Sequence, residues 1–170
     1  MKAKFSLICI FLLFVQLSIS QESTAAILDK AYNKAKIENK NVFVTFKASW
    51  CGWCKKMNAN MNQPTTQKLF DNNYVIVQLD VLEREDKKHL ENPGALDLLK
   101  KYKAEKSGIP FFLIFDAYGK KLADSFNDSG QNLGCPASQE EVVVFKKILK
   151  ETSTLSDSEL EVIAGVFQKK

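Results

Sequence analysis

Residues 42–55 read VFVTFKASWCGWCK. The first five, 42–46, are almost all apolar and are β-branched or aromatic, which is typical of a central strand buried on both faces. Two cysteines separated by two residues, Cys51 and Cys54, follow shortly after, and the residues behind them favour a helix. We therefore predict a strand that leads into a cysteine pair at the start of a helix.

The position of the pair gives the two thiols different roles. A sulfur at a helix N-terminus faces unpaired amides and the positive end of the helix dipole, so Cys51 is expected to be the more acidic thiol and the nucleophile. Cys54 lies about one turn further on and is the expected resolving thiol, screened from solvent but able to reach Cys51. Such a pair can exchange disulfides in either direction.

The first twenty residues differ in composition from the rest. Lys2 and Lys4 precede an apolar run of thirteen residues, 5–17, and small residues follow at 18–20. A membrane anchor is the alternative, but a spanning helix needs roughly 20 apolar residues. The pattern predicts a signal peptide at 1–20 and one domain at 21–170, located in the periplasm or secreted, with no stable membrane insertion after cleavage.

Charge and cysteine content narrow the function further. The net charge of +4 is spread over lysines interleaved with carboxylates, and Arg84 is the only arginine, which does not favour nucleic-acid binding. Signal cleavage would remove Cys9 and leave Cys51, Cys54 and Cys135. Because three cysteines do not make a disulfide-stapled scaffold, the close pair is expected to do chemistry. Cys135 has no obvious partner, and its simplest interpretation is a partly buried apolar residue.

Periodicity and turn signals predict the elements around this pair. We expect an amphipathic helix over about 23–39 and a second buried strand over 74–81. The densely charged segment 83–91 is predicted to be an exposed loop or irregular helix. Asn92 followed by proline predicts the N-cap of another helix. A hairpin of strands at 111–115 and 120–126 follows, and two terminal helices carry capping boxes, Ser138 with Glu141 and Ser156 with Glu159.

This order of elements predicts the architecture. Strands joined through helices are expected to be parallel neighbours, and the hairpin adds antiparallel strands. The predicted fold is α/β, with a central mixed sheet of four to five strands, helices on both faces and an extra C-terminal helix.

The run 46–55, together with Gly108-Ile109-Pro110 downstream, resembles the thioredoxin superfamily. The order of elements over about 23–150 matches that fold. The resemblance implies that Pro110 is a cis-proline facing the cysteine pair, and a cis bond is cheap only before proline. It also implies that the backbone of Ile109 hydrogen-bonds an extended substrate segment.

The same resemblance implies roles for the residues around the pair. Trp50 corresponds to the aromatic residue that packs beside the active site. Gly52 and Trp53 form the variable dipeptide, which leaves the reduction potential open. Cys135 follows the last strand, where the family's loop approaches the cis-proline, so it is a possible additional thiol at the substrate groove, able to form a mixed disulfide or a dimer.

The chain departs from the family at the proton acceptor of the resolving thiol. The family's buried carboxylate corresponds to Thr45 and its lysine companion to Gln78, and neither side chain ionises. Water, Lys47 or Asp80 could relay the proton instead, and the sequence does not choose among them. The stretch from 80 to 110 is too short for the inserted helical domain of periplasmic thiol oxidases, which favours a reductase.

Two other readings compete with disulfide exchange. Cys51, Cys54, Cys135 and His89 could supply four zinc ligands, although a second paired motif is missing. The fold could also serve as a binding or chaperone module with an incidental dithiol.

We predict an exported thiol-disulfide oxidoreductase that acts as a reductase, with oxidase or isomerase as the alternative direction. We expect no cofactor beyond the Cys51-Cys54 disulfide, and no metal. The expected partners are protein thiols and disulfides and a membrane electron donor, and we expect a monomer.

Overall fold

Strand β1 (Asn41–Lys47) is an interior strand of the sheet in the computed structural model, which describes residues 21–168. Its five middle residues are buried, as the apolar run at 42–46 predicts. The predicted signal peptide at 1–20 lies outside the described residues. The sheet has the order β2-β1-β3-β4 and its other strands are β2 (Tyr74–Asp80), β3 (Phe111–Phe115) and β4 (Lys121–Asp124).

Helices cover both faces of this sheet, as predicted, because successive residues of β1 point to opposite sides. Phe43 belongs to one apolar cluster and Val44 to a second. Within 21–168, no helix has the length and apolar content needed to cross a membrane. The helices are α1 (Thr24–Glu38), α2 (Gly52–Met61), α3 (Gln67–Asn73), a 3₁₀ helix (Glu85–Leu90), α4 (Ala95–Lys101), α5 (Gln139–Thr152) and α6 (Asp157–Phe167).

The first cluster lies under α2, α3, α5 and the predicted extra helix α6, and the second under α1 and α4. Phe43 contacts Phe70 and Phe112 in the first cluster, at centroid distances of 6.3 and 5.1 Å. Burial of aromatic rings on this scale is a major source of stability in a domain of this size. Met57 and Met61 of α2, the helix that carries Cys54, belong to the same cluster as Phe43, so this helix is packed against the sheet.

The strand directions confirm part of the predicted topology. β1 pairs parallel with β2, and β3 pairs antiparallel with β4. The expectation that helix-connected strands are parallel neighbours is wrong for β3, which lies beside β1 and runs antiparallel to it. A strand parallel to β1 must begin at the end of the sheet where β1 begins. The connection through α4 instead leaves the chain at the end where β1 and β2 finish, so β3 starts from there and runs back. Phe111 therefore pairs with Phe46 at the end of β1 that leads to the cysteines.

The helix caps show which local predictions hold. The capping boxes at Ser138 and Ser156 are both confirmed. The predicted cap at Asn92 is wrong, since α4 begins after Gly94, which adopts the left-handed conformation with φ 88° and makes no side-chain cap. The Asn92 side chain instead accepts from the Asp80 amide at 2.7 Å and donates to a carbonyl of the chain before α1 at 3.0 Å. The Asn92 side chain therefore connects distant parts of the chain and does not cap the neighbouring helix.

Candidate active site

The two cysteines lie where β1 ends and α2 begins, as predicted, and they are joined by a disulfide. Cys51 is the N-cap residue of α2, and its sulfur accepts a hydrogen bond from the Cys54 amide at 3.1 Å. The unpaired amides of the first helical turn therefore face the Cys51 sulfur. After reduction the same amides would stabilise a thiolate on Cys51 rather than on Cys54.

The segment before β3 forms the opposite wall of the site. The peptide bond between Ile109 and Pro110 is cis, as the resemblance implies. The Ile109 carbonyl oxygen lies 3.6 Å from the Cys51 sulfur, and Ile109 packs against the small buried cluster of Ala48, Cys51 and Cys54. Cys51 and Cys54 are only 3% and 6% exposed. The expected contrast in exposure between the two thiols is therefore absent from the disulfide form, and their hydrogen bonds distinguish them instead.

Two tryptophans flank the disulfide and leave large apolar surfaces in solvent. Trp50 is 46% and Trp53 is 54% exposed. The Trp50 indole donates to the Leu82 carbonyl at 2.8 Å, and the Lys56 ammonium lies 4.9 Å from the centroid of the Trp53 ring. Space is open around Gly52 between them. Exposed aromatic groups at a reactive site are typical of a surface that receives a partner.

Cys135 lies in the loop between β4 and α5 and is free. It lines an open cavity of about 200 Å³ together with Trp53 and Pro110, so it does border the groove beside the disulfide. Burial raises the pKa of its thiol to about 11, against the effect of the nearby Lys56 ammonium and with a smaller contribution from Glu141. The neutral thiol is a poor nucleophile at pH 7.

Thr45 and Gln78, the two positions where the sequence departs from the ionisable pair of the thioredoxin superfamily, lie behind Cys54. The two residues are partners across β1 and β2, where Thr45 donates to the Val77 carbonyl at 3.2 Å and Gln78 donates to the Asn58 side chain. Together with Lys47 and Cys54 they line a cavity of about 10 Å³, about the size of one water. Lys47 also pairs with Asp80 at 2.6 Å. Among the described residues that line this cavity there is no carboxylate.

The zinc alternative requires Cys51, Cys54, Cys135 and His89 to converge. Within the described part of the chain, no group of three or more histidine, cysteine, aspartate or glutamate side chains is placed to hold a metal ion. His89 lies in the exposed 3₁₀ helix, and two of the sulfurs are bonded to each other.

One residue that the sequence analysis missed is Glu83, in the segment predicted to be exposed. The prediction of an irregular helix there is confirmed, but the Glu83 side chain is buried, with 4% exposed. Its carboxylate accepts from the amide and the hydroxyl of Ser49, two residues before Cys51. The signal available in the sequence is the position of Glu83 just after β2. Because β2 is parallel to β1, this position lies at the same end of the sheet as Cys51.

A family model described as thioredoxin-like matches residues 24–117, which is more than half of the chain. No curated protein matches it significantly. Among solved structures, the chain resembles a disulphide isomerase from Xylella fastidiosa Temecula1, with 21% identity, a TM-score of 0.49, and coverage of 59% of this chain and 71% of that one. It also resembles the oxidised C-terminal domain of DsbD from Neisseria meningitidis, with 27% identity, a TM-score of 0.46 and coverage of 62% and 84%. For a structure named DsbH oxidoreductase, the identity is 24%, the TM-score 0.47 and the coverage 77% and 84%.

Proposed function

The chain belongs to the thioredoxin-like family, and from this premise we propose that it is an exported thiol-disulfide oxidoreductase that reduces disulfides of protein substrates. The observation that carries the proposal is the Cys51-Cys54 disulfide at the N-terminus of α2, with the Cys54 amide on the Cys51 sulfur at 3.1 Å. This arrangement makes one sulfur the better leaving group and nucleophile.

The reaction begins with the reduced pair. The Cys51 thiolate attacks one sulfur of the substrate disulfide, a mixed disulfide forms, and the other substrate sulfur leaves as a thiolate that takes up a proton. Cys54 then loses its proton and attacks the Cys51 sulfur. The mixed disulfide breaks, the second substrate sulfur leaves, and the Cys51-Cys54 disulfide remains. We propose that this dithiol is the whole redox group and that no further cofactor or metal takes part.

The residues around the disulfide offer a surface for binding the substrate. The exposed faces of Trp50 and Trp53 flank the open space at Gly52, and an extended substrate segment would lie there against the backbone of Ile109 beside Pro110. The proposed partners are therefore protein thiols and disulfides, and a reductase outside the cytosol also needs a membrane electron donor.

Export and direction complete the proposal. We place a cleaved signal at 1–20, a domain at 21–170 that acts as a monomer, and the protein in the periplasm. The direction is supported by the connection between β2 and β3, in which the described elements are a 3₁₀ helix and α4 rather than an inserted helical domain.

The test is a trapping experiment with the Cys54→Ala variant of the mature chain. Without the resolving thiol, covalent complexes with protein partners should accumulate, and dithiothreitol should release them. The matched Cys51→Ala variant should form none, because its remaining pair member is not the nucleophile. Equal yields from the two variants, or none from either, would contradict the assigned roles.

Equilibration of the wild-type pair with glutathione decides the direction, since about 30 mV corresponds to a tenfold change in the equilibrium constant. A strongly oxidising potential would replace the reductase with an oxidase or isomerase.

A further inference from the structure

Glu83 is the one charged side chain among residues 21–168 that is buried. Its two carboxylate oxygens accept from Ser49, one from the amide and the other from the hydroxyl at 2.8 Å. A buried charge is costly unless it is hydrogen-bonded, and these two bonds repay part of that cost. The disulfide exchange proposed above assigns no role to this carboxylate.

The side-chain hydrogen bonds of Glu83 go to the loop that presents the nucleophile, and its backbone amide donates to the Glu91 carboxylate at 2.7 Å. Residues 48–50 connect β1 to Cys51, whose amide donates to the Ala48 carbonyl at 3.1 Å. Segment 82–83 holds this loop twice, because Leu82 accepts from the Trp50 indole and Glu83 accepts from Ser49. Leu82 itself adopts a left-handed backbone with φ 57°, which is unfavourable for a leucine. The chain tolerates this strain where it turns Glu83 towards the loop.

The carboxylate also brings a negative charge to this loop. Burial alone raises the pKa of Glu83, but the Ser49 hydrogen bonds and the charges of Lys87 and Lys47 outweigh it and lower the pKa below its usual value. The side chain is therefore ionised at pH 7. The Lys47 ammonium pairs with Asp80 at 2.6 Å, and the Lys87 ammonium donates to the Ser49 hydroxyl at 3.4 Å.

The polar contacts of the Cys51 sulfur itself are neutral groups, the Cys54 amide and the Ile109 carbonyl. On α2, the Lys56 ammonium lies over the Trp53 ring. A fixed negative charge near a thiol disfavours its thiolate. Glu83 is held against Ser49, two residues before Cys51, and a negative charge at this place would oppose the stabilisation of a Cys51 thiolate by the helix N-terminus.

We propose that Glu83 is a positioning residue that fixes the 48–50 loop and, through its charge, keeps the Cys51-Cys54 pair more reducing than the helix N-terminus alone would make it. This inference rests on the proposed function and deepens it, since a less stable thiolate gives up its electrons more readily. The charge of Glu83 is thereby a built-in bias towards reduction of the substrate.

The test compares Glu83→Gln with Glu85→Gln in the reduced protein. Glutamine retains an acceptor for the Ser49 amide and removes the charge, whereas Glu85 is an exposed carboxylate of the same segment. The pH dependence of Cys51 alkylation, followed on the Cys51 peptide by mass spectrometry, reports the thiolate. We expect E83Q to lower the midpoint by about half a pH unit, which is about threefold more thiolate below the midpoint. We also expect the glutathione equilibrium above the midpoint to shift about threefold towards the dithiol, and E85Q to change neither quantity.

A midpoint and an equilibrium constant for E83Q equal to those of the wild type would overturn the inference, as would an equal shift in E85Q. If E83Q does not fold, Lys87→Gln provides the opposite perturbation, because removal of the exposed cation that faces Glu83 should raise the Cys51 midpoint. An unchanged midpoint in K87Q would then count against the inference. The alkylation profile needs no partner protein, so a failure of C54A to trap partners would remove the proposed function and leave the role of Glu83 to be decided by the profile.

Discussion

Replacing Phe167 with alanine tests whether the C-terminal helix is part of the core that supports the candidate active site. Phe167 is fully buried in α6, and its ring centroid lies 5.0 Å from that of Phe145 and 6.3 Å from that of Phe70. It belongs to the same apolar cluster as Met57, on the helix that carries Cys54. Truncating a buried phenylalanine costs about 3–5 kcal/mol in transfer free energy and cavity formation. We expect F167A to lose an amount in this range.

The measurement is urea unfolding of the oxidised protein, followed by circular dichroism, with the free energy of unfolding extrapolated to water. A loss of this size is a large fraction of the roughly 5–15 kcal/mol that stabilises a typical domain. Val162→Ala is the matched control, since Val162 lies on the same helix but is 43% exposed, and it should change stability by no more than about 0.5 kcal/mol. A loss below about 1 kcal/mol for F167A, with an unchanged denaturant slope, would refute the packing of α6 onto this core.

Two further predictions concern buried titratable groups. Burial raises the pKa of Tyr74 to about 12, against the hydrogen bond with Thr152 at 2.7 Å. The unfolded tyrosine ionises first, near pH 10, so its contribution to stability is complete below about pH 10 and is lost as the pH rises towards about 12, by up to roughly 2.7 kcal/mol. Burial also raises the pKa of Tyr32 to about 12, so urea unfolding at several pH values should show a fall that Tyr74→Phe makes shallower; parallel curves for the two proteins would contradict the assignment. Because burial raises the pKa of Cys135 to about 11, iodoacetamide at pH 8 should label it slowly in the folded oxidised protein and rapidly in urea. Rapid labelling of the folded protein would make Cys135 a reactive thiol of the groove.

Local patterns predicted the elements whose determinants are close in sequence. The buried run at 42–46, the strand-to-helix junction at Cys51 and the two capping boxes each depend on residues within one element or one turn, and all are found. The direction of β3 depends instead on the end of the sheet at which the chain arrives after α4, and no pattern within 95–115 encodes this direction. Asn92 fails for the same reason, since its amide bridges to the ends of distant elements rather than to the helix beside it.

The failure at Glu83 is of a different kind and bears on function. Carboxylates are rarely buried, so a segment with the composition of 83–91 is correctly expected to be solvated, and its 3₁₀ helix is. Glu83 is buried because its carboxylate accepts hydrogen bonds from the amide and the hydroxyl of Ser49. Ser49 lies thirty-four residues earlier in the chain, so the composition of 83–91 contains no sign of this contact. Local rules tend to be broken where a protein uses a costly arrangement. The buried Glu83 carboxylate, bonded to the loop that leads to Cys51, is such an arrangement, and it differs from a surface glutamate in one respect that matters chemically. Its carboxylate is held against Ser49, two residues before Cys51, and the role we propose for its charge is to act on the redox equilibrium of the cysteine pair as well as on the stability of the fold.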